Sequence, residues 1–190
     1  MARSGKKTTL LSTFRKIHRI TAIWLFLFFF IMALSGILLG LKKNSGGLIQ
    51  AKSYQGTTTD LNDWLPLEVL HQKALTFLHD SVSSTATLEL DRIDVRHDKG
   101  MVKFIFAEGF RAIQLDGATG ELLHIERRRS DFIEMIHDGS LLDYYLGTRG
   151  EPFKVVYSTI MGLALLLFTI TGFWLWYAPR RRKRKKALQQ

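Results

Sequence analysis

Two runs of uncharged residues, 20–41 and 155–178, constrain this chain more than any other feature of its sequence. They are 22 and 24 residues long, and the first is mostly Leu, Ile and Phe. A hydrocarbon core about 30 Å thick is crossed by about 20 helical residues at about 1.5 Å each. Each run is therefore expected to cross a bilayer as a helix with some tilt. Basic residues before the first run, and the triplet Ala33-Leu34-Ser35 within it, also fit a cleaved signal. The run exceeds the roughly 7–15 residues of a signal core, so it is read as a retained anchor.

The chain carries a net charge of +10, which invites a nucleic-acid reading until its distribution is followed. Residues 1–19 hold six basic residues and 179–190 hold seven, with no acidic residue in either segment. The other 14 basic residues and all 17 acidic ones lie in 42–154, which is net −3. Basic flanks around a mildly acidic loop follow the positive-inside rule and place both termini in the cytoplasm. No nucleic-acid partner is expected. The basic tail instead suits anionic lipid headgroups, at about 1 kcal/mol per residue near the surface. Trp24, Trp174, Trp176 and Tyr177 lie towards the same ends of the spans, where amphipathic rings favour the interface.

Neither run contains Asp, Glu, Lys or Arg, which argues against an ion path or proton relay. The chain has no cysteine. Disulfides, thiolate metal sites, cysteine-held iron–sulfur clusters and covalently attached haem are thereby excluded.

Between the runs the pattern changes to that of a small domain. Asn44-Ser45-Gly46-Gly47 reads as a linker. Residues 66–79 predict a helix, with Pro66 at its start, Glu68 in its first turn, and Leu67, Leu70, Ala74, Phe77 and Leu78 on one face. A polar break over Ser81–Thr85 separates it from alternating strands. Leu88 and Leu90, then Ile93 and Val95 after a change of phase, predict a bulged strand. Val102, Phe104 and Phe106 share a face of the next, 110–115 form a third, and 121–126 a short fourth. Turns fall at Asp98-Lys99-Gly100, Glu108-Gly109 and 116–120. The fold class is thus an α+β membrane protein, with two transmembrane helices flanking a helix packed on an antiparallel sheet. The division is a basic N-terminus over 1–19, a span over 20–41 and a domain over 42–129. An interfacial amphipathic segment over 130–154, a span over 155–178 and a basic tail over 179–190 complete it.

The spans and their flanks resemble the PepSY-associated transmembrane helix family of bacteria. The first carries Ile17-His18-Arg19 and Leu34-Ser35-Gly36. The second match is more specific: Ile136-His137-Asp138-Gly139, Leu146-Gly147 and Thr171-Gly172-Phe173-Trp174-Leu175-Trp176 before a basic tail. The loop is similar to a PepSY module, above all in the hairpin Ile113-Gln114-Leu115-Asp116-Gly117-Ala118-Thr119-Gly120-Glu121-Leu122. The resemblance implies a bacterial inner-membrane protein with an extracytoplasmic, periplasmic PepSY-like domain. Larger members of the family, the ferric-siderophore reductases, use four spans and hold b-type haem through histidines. This chain has only two spans, so a second copy or a partner subunit would be needed to rebuild such a core.

On that resemblance His18 and His137 are candidate ligands for haem b. They flank opposite ends of the membrane segments, about 30 Å apart, so one chain does not bring both to one iron. An interfacial His bonded to a headgroup or backbone remains the alternative for each. His71, His79, His97 and His124 read as surface polar residues, and no paired spacing suggests a metal site. Glu134, Asp138 and Asp143 form an acidic group that reads as solvated charge, and Arg127-Arg128-Arg129 as a solvated basic turn. Ser35, Thr169 and Thr171 are expected to bond their own helix backbone or a neighbouring helix. Gly36 and Gly40 allow close approach, either by the chain's own second span or by a second copy.

Two functions stay open. One is an accessory role in iron, siderophore or haem-linked redox chemistry, with a homodimer or membrane partner completing the haem site and the outer domain docking a ferric chelate. The other is a non-catalytic binding or regulatory module that recognises a periplasmic protein, acting in protease or envelope regulation. Whether the chain is an enzyme is not decided by either. The topology is tested directly: alkaline phosphatase fused after Gln190 should be inactive and fused after Gly109 active, and the reverse pattern overturns the orientation.

Overall fold

A computed structural model describes residues 4–81 and 89–188 of the chain. The expected break at 82–85 and the contribution of Leu88 lie outside the described residues. In chain order the elements are α1 (Ser4–Gly40), α2 (Leu67–Ser81), β1 (Leu90–Arg96), β2 (Met101–Phe106), β3 (Arg111–Asp116) and β4 (Leu122–Arg127). Then follow α3 (Arg129–Asp138), α4 (Leu141–Leu146) and α5 (Pro152–Ala187). They form two compact units, one of residues 37–134 and one of residues 1–36 with 135–190.

The second unit is a helical hairpin. α1 and α5 each hold a 30-residue stretch, Leu11–Gly40 and Pro152–Arg181, long and apolar enough to cross a membrane. Their partners run in opposite directions: Phe14 meets Trp174, His18 meets Phe168, and Phe28 meets Tyr157. The helices are therefore antiparallel. Most of their large apolar side chains face outward, as with Ile23 at 70% exposed and Leu163 at 62%. Such surfaces are stable against lipid and not against water.

Both helices outrun the apolar segments. α1 continues backwards to Ser4 through 6–19, a stretch without Pro or Gly. α5 passes through Pro179, which forgoes one backbone donor, and continues to Ala187 because Arg, Lys and Ala favour helix.

The first unit is the helix-on-sheet domain. Its four strands lie in the order β1-β2-β3-β4, all antiparallel. The phase change in β1 is a register shift between Leu90 and Arg92. One sheet face carries Val102, Phe104, Phe106, Ile113 and Leu115, which bury Leu70, Ala74 and Leu78 of α2. Pro66 precedes α2 and accepts at its carbonyl from Val69 and Leu70 N–H (2.9 and 3.1 Å).

The other face is the part that alternation does not explain. Every residue of β2 is buried, because the extended segment 51–58 lies over the face opposite α2. Gln114 anchors this strap, with its amide oxygen accepting from Tyr54 N–H (3.0 Å) and its amide nitrogen donating to the Lys52 carbonyl (2.9 Å). Gly56 N–H bonds the Lys99 carbonyl at 2.8 Å. Asp116 closes the far end, accepting from Thr57 through both hydroxyl and N–H, and from Ala118 and Thr119 N–H.

Burial works against the ionised Asp116 carboxylate, but the Thr57, Ala118 and Thr119 donors outweigh it and lower its pKa. Its stabilising contribution is thus complete above the ordinary carboxylate range and lost as pH falls through the lowered folded value. Asp116→Ala strands those donors and should cost about 1–3 kcal/mol in denaturant melts of the full chain in detergent. The loss should shrink towards acid pH, where the native carboxylate is itself protonated. An unchanged midpoint at neutral pH would show that the strap does not depend on this residue.

Candidate functional site

The residues that chemistry would single out within the hairpin are its histidines. Each is held by a hydroxyl on another segment. His18 lies on α1, and its Nδ1 is 2.9 Å from Thr171 Oγ1 on α5. His137 lies in the last turn of α3, and its Nδ1 is 2.9 Å from Ser35 Oγ on α1. Ser35 and Thr171 are 5% and 1% exposed, while the two imidazoles are half-buried. No described side chain hydrogen-bonds either Nε2.

The two clasps are built alike. Ser35 Oγ also reaches the Ile31 carbonyl at 2.7 Å, and Thr171 Oγ1 the Leu167 carbonyl at 2.7 Å. A glycine follows each hydroxyl. A Cβ at Gly36 would stand 3.4 Å from His137 Cε1, and one at Gly172 would stand 3.7 Å from His18 Cε1. Gly36 therefore receives a histidine rather than the flank of a helix, while nothing lies within 4 Å of a Cβ at Gly40. The His18 ring also packs on Phe168, with centroids 4.2 Å apart. Thr169, by contrast, bonds only the Leu165 carbonyl among the described residues.

The segment carrying His137 is fixed from both sides. After α3 the chain turns at Gly139, with φ +83° and its backbone against the Tyr157 ring. Asp138 accepts from Ser140 N–H and hydroxyl (3.0 and 2.7 Å) and pairs with Lys154 at 3.4 Å. Asp138 is thus engaged with Ser140 and Lys154 rather than aimed at its neighbour His137.

Asp143 corrects the reading of an acidic solvated group. It is 5% exposed and accepts from the Thr148 hydroxyl, from Lys154 N–H (2.8 Å) and from Phe153 N–H (3.2 Å). It caps α5, whose first N–H groups have no partner within the helix. Burial disfavours its charge, but the donors from Thr148, Lys154 and Phe153 and the Lys154 ammonium outweigh this and lower its pKa. Among the described residues no cluster of His, Asp and Glu is arranged to hold a metal ion.

Two other sequence expectations also change. His71 is half-buried rather than fully exposed: its ring stacks on Phe104 at 5.7 Å, with a buried Nε2. Arg128 is not a solvated turn residue. It makes a fork to Asp131 at 2.6 and 2.9 Å, and that carboxylate outweighs burial and raises the Arg128 pKa. On the strap side of the sheet, Lys103 pairs with Glu126 at 2.9 Å, and Glu126 accepts from Gln114 at 2.9 Å. Lys103 and Glu126, with Gln50, Asp94, Arg96 and Arg128, line a small polar cleft in which Gln50 Oε1 has no bonding partner among the described residues.

Two lipid-exposed antiparallel helices, with a helix-on-sheet domain between them in sequence, define a two-span membrane protein with a small α+β domain. The chain belongs to the family described as the PepSY-associated TM region, whose match runs over residues 15–190. No curated protein matches it.

The Gly139 turn supplies a direct test of how His137 is held. Gly139→Ala would place a Cβ 2.6 Å from the Tyr157 ring in a left-handed conformation. Gly147→Ala has the same handedness (φ +61°) and nothing within 4 Å. The second should cost only the backbone strain, about 1–2 kcal/mol. The first should lower the thermal midpoint in detergent by clearly more, and equal losses would refute the close packing on Tyr157.

Proposed function

We propose that this chain is an inner-membrane accessory of haem-linked redox chemistry, serving iron or siderophore reduction. The observation that carries the reading is the pair of hydroxyl-held histidines. Each ring is fixed through Nδ1 and leaves Nε2 without a partner among the described residues, which suits a haem ligand oriented from behind. Haem b would supply one-electron chemistry, with His18 and His137 as the residues that would hold it, each at its own site with a second ligand from another chain.

The two histidines belong to separate sites. Ser35, which holds His137, lies 17 residues along α1 from His18, or about 26 Å at about 1.5 Å per residue. One chain thus offers one imidazole per site, and a second copy or a membrane partner would supply the other. The periplasmic domain would then dock the acceptor, a ferric chelate or a periplasmic protein. Both termini would be cytoplasmic, following the basic flanks.

A second reading, a binding or regulatory module on a two-helix anchor, is favoured by the polar cleft behind the sheet. Its orphan Gln50 oxygen and its mixed charges suit a polar ligand or peptide better than an electron path.

A reduced-minus-oxidised visible spectrum of the detergent-purified chain separates these readings. The first expects a b-type spectrum at a fixed ratio of haem to protein, reduced by His18→Ala and by His137→Ala separately and abolished by both together. A colourless protein, after expression with haem precursor and with its neighbours in the membrane, leaves the second.

A further inference from the structure

The two clasps share a feature that determines which nitrogen of each ring is protonated. A hydroxyl carries one proton, and a backbone carbonyl can only accept. Ser35 Oγ has the Ile31 carbonyl at 2.7 Å and His137 Nδ1 at 2.9 Å. Thr171 Oγ1 has the Leu167 carbonyl at 2.7 Å and His18 Nδ1 at 2.9 Å. A second carbonyl lies 3.2 Å from each hydroxyl, Met32 for Ser35 and Phe168 for Thr171, on the same backbone side.

Only one assignment makes every close contact a bond. The hydroxyl donates to its own helix, and Nδ1–H donates to the hydroxyl oxygen. With the proton on Nε2 instead, the hydroxyl must give up its carbonyl or leave two acceptors facing each other. Both hydroxyls are buried, so water does not relieve that conflict.

We propose that Ser35 and Thr171 are positioning residues that hold His137 and His18 in the Nδ1–H tautomer and so make Nε2 the single lone pair each ring presents. The inference rests on the haem reading only for what then meets Nε2. The tautomer follows from the hydrogen bonds alone. Gly36 and Gly172 flank the rings at Cε1, the carbon between the two nitrogens, where a Cβ would make ordinary van der Waals contact.

The test separates the two ideas. Nitrogen-15 NMR of the full chain, histidine-labelled and haem-free in micelles at a pH where the rings are neutral, reads each tautomer. The expected result is a protonated Nδ1 and an unprotonated Nε2 at both His18 and His137. Ser35→Ala should shift only His137 towards the other tautomer, and Thr171→Ala only His18, so the unaffected ring reports an intact fold. Ser35→Thr and Thr171→Ser should restore the native signals.

A protonated Nε2 in the native chain, or tautomers indifferent to both alanine variants, overturns the inference whether or not haem binds. In chain that does carry haem, each alanine variant should loosen haem retention at its own site by about 10–100-fold. Each should also raise the potential, because a ligand that loses its Nδ1–H bond stabilises ferric iron less.

Discussion

A polar side chain on a membrane-spanning helix has few partners to choose from. The hydrocarbon offers none, the backbone of its own helix is already paired, and what is left is another polar group on a neighbouring segment. The hairpin solves this twice, with the same chemistry at each end. Ser35 and Thr171 return their protons to their own helices and offer an oxygen to a histidine from elsewhere in the chain. With both spans presenting apolar surface to lipid, these two bonds are directional contacts set among rings and aliphatic chains, beside the polar contacts that Asp138 and Asp143 make with the start of α5.

Much of this was written in the sequence in a form that periodicity does not read. The spans were legible because bilayer thickness imposes a length, and the strands because alternation imposes a face. The bulge in β1 was legible because Leu90 and Ile93 break phase. Ser35 and Thr171 were legible as helix-bonding hydroxyls but not as partners of particular histidines. Each is followed by a glycine that lies beside the ring, Ser35-Gly36 and Thr171-Gly172, but a Cβ there would make only ordinary contact, so neither glycine marked the pairing in advance. His71 was misread because its place on α2 follows from which sheet strand lies beneath it, and that is a long-range fact.

Asp143 and the strap fail for the same reason. An aspartate five residues before Thr148 and ten before Phe153 has no short-range signature as a helix cap, since the cap is made only once the chain has turned back through Gly147 and Gly150. The segment 51–58 has little apolar content to mark it as covering anything. It is held by Gln114 and Asp116 through hydrogen bonds rather than by burial of its own side chains. The result is a sheet with an apolar face towards α2 and a face that buries Lys103, Gln114 and Glu126 in a satisfied network. Replacing such a network by apolar residues is often neutral for stability, whereas removing one member is not. Its presence therefore speaks for recognition or register rather than for strength.

The likeness of the two clasps bears on how the molecule would work. A single clasp is adequately explained as helix packing, because a hydroxyl and an imidazole satisfy each other well in a dry setting. Two clasps with the same atoms, the same distances and a glycine in the same place are harder to explain that way. Packing alone does not require the bonding nitrogen to be Nδ1 in both, nor the opposite nitrogen to be left unbonded among the described residues. A role for Nε2 at each end requires both. Because His18 and His137 are separated along the hairpin, such a role would be filled twice and independently. An electron crossing the bilayer would need a stopping point near each face, which is the arrangement that two half-sites per chain, completed by a second chain or a partner, would provide.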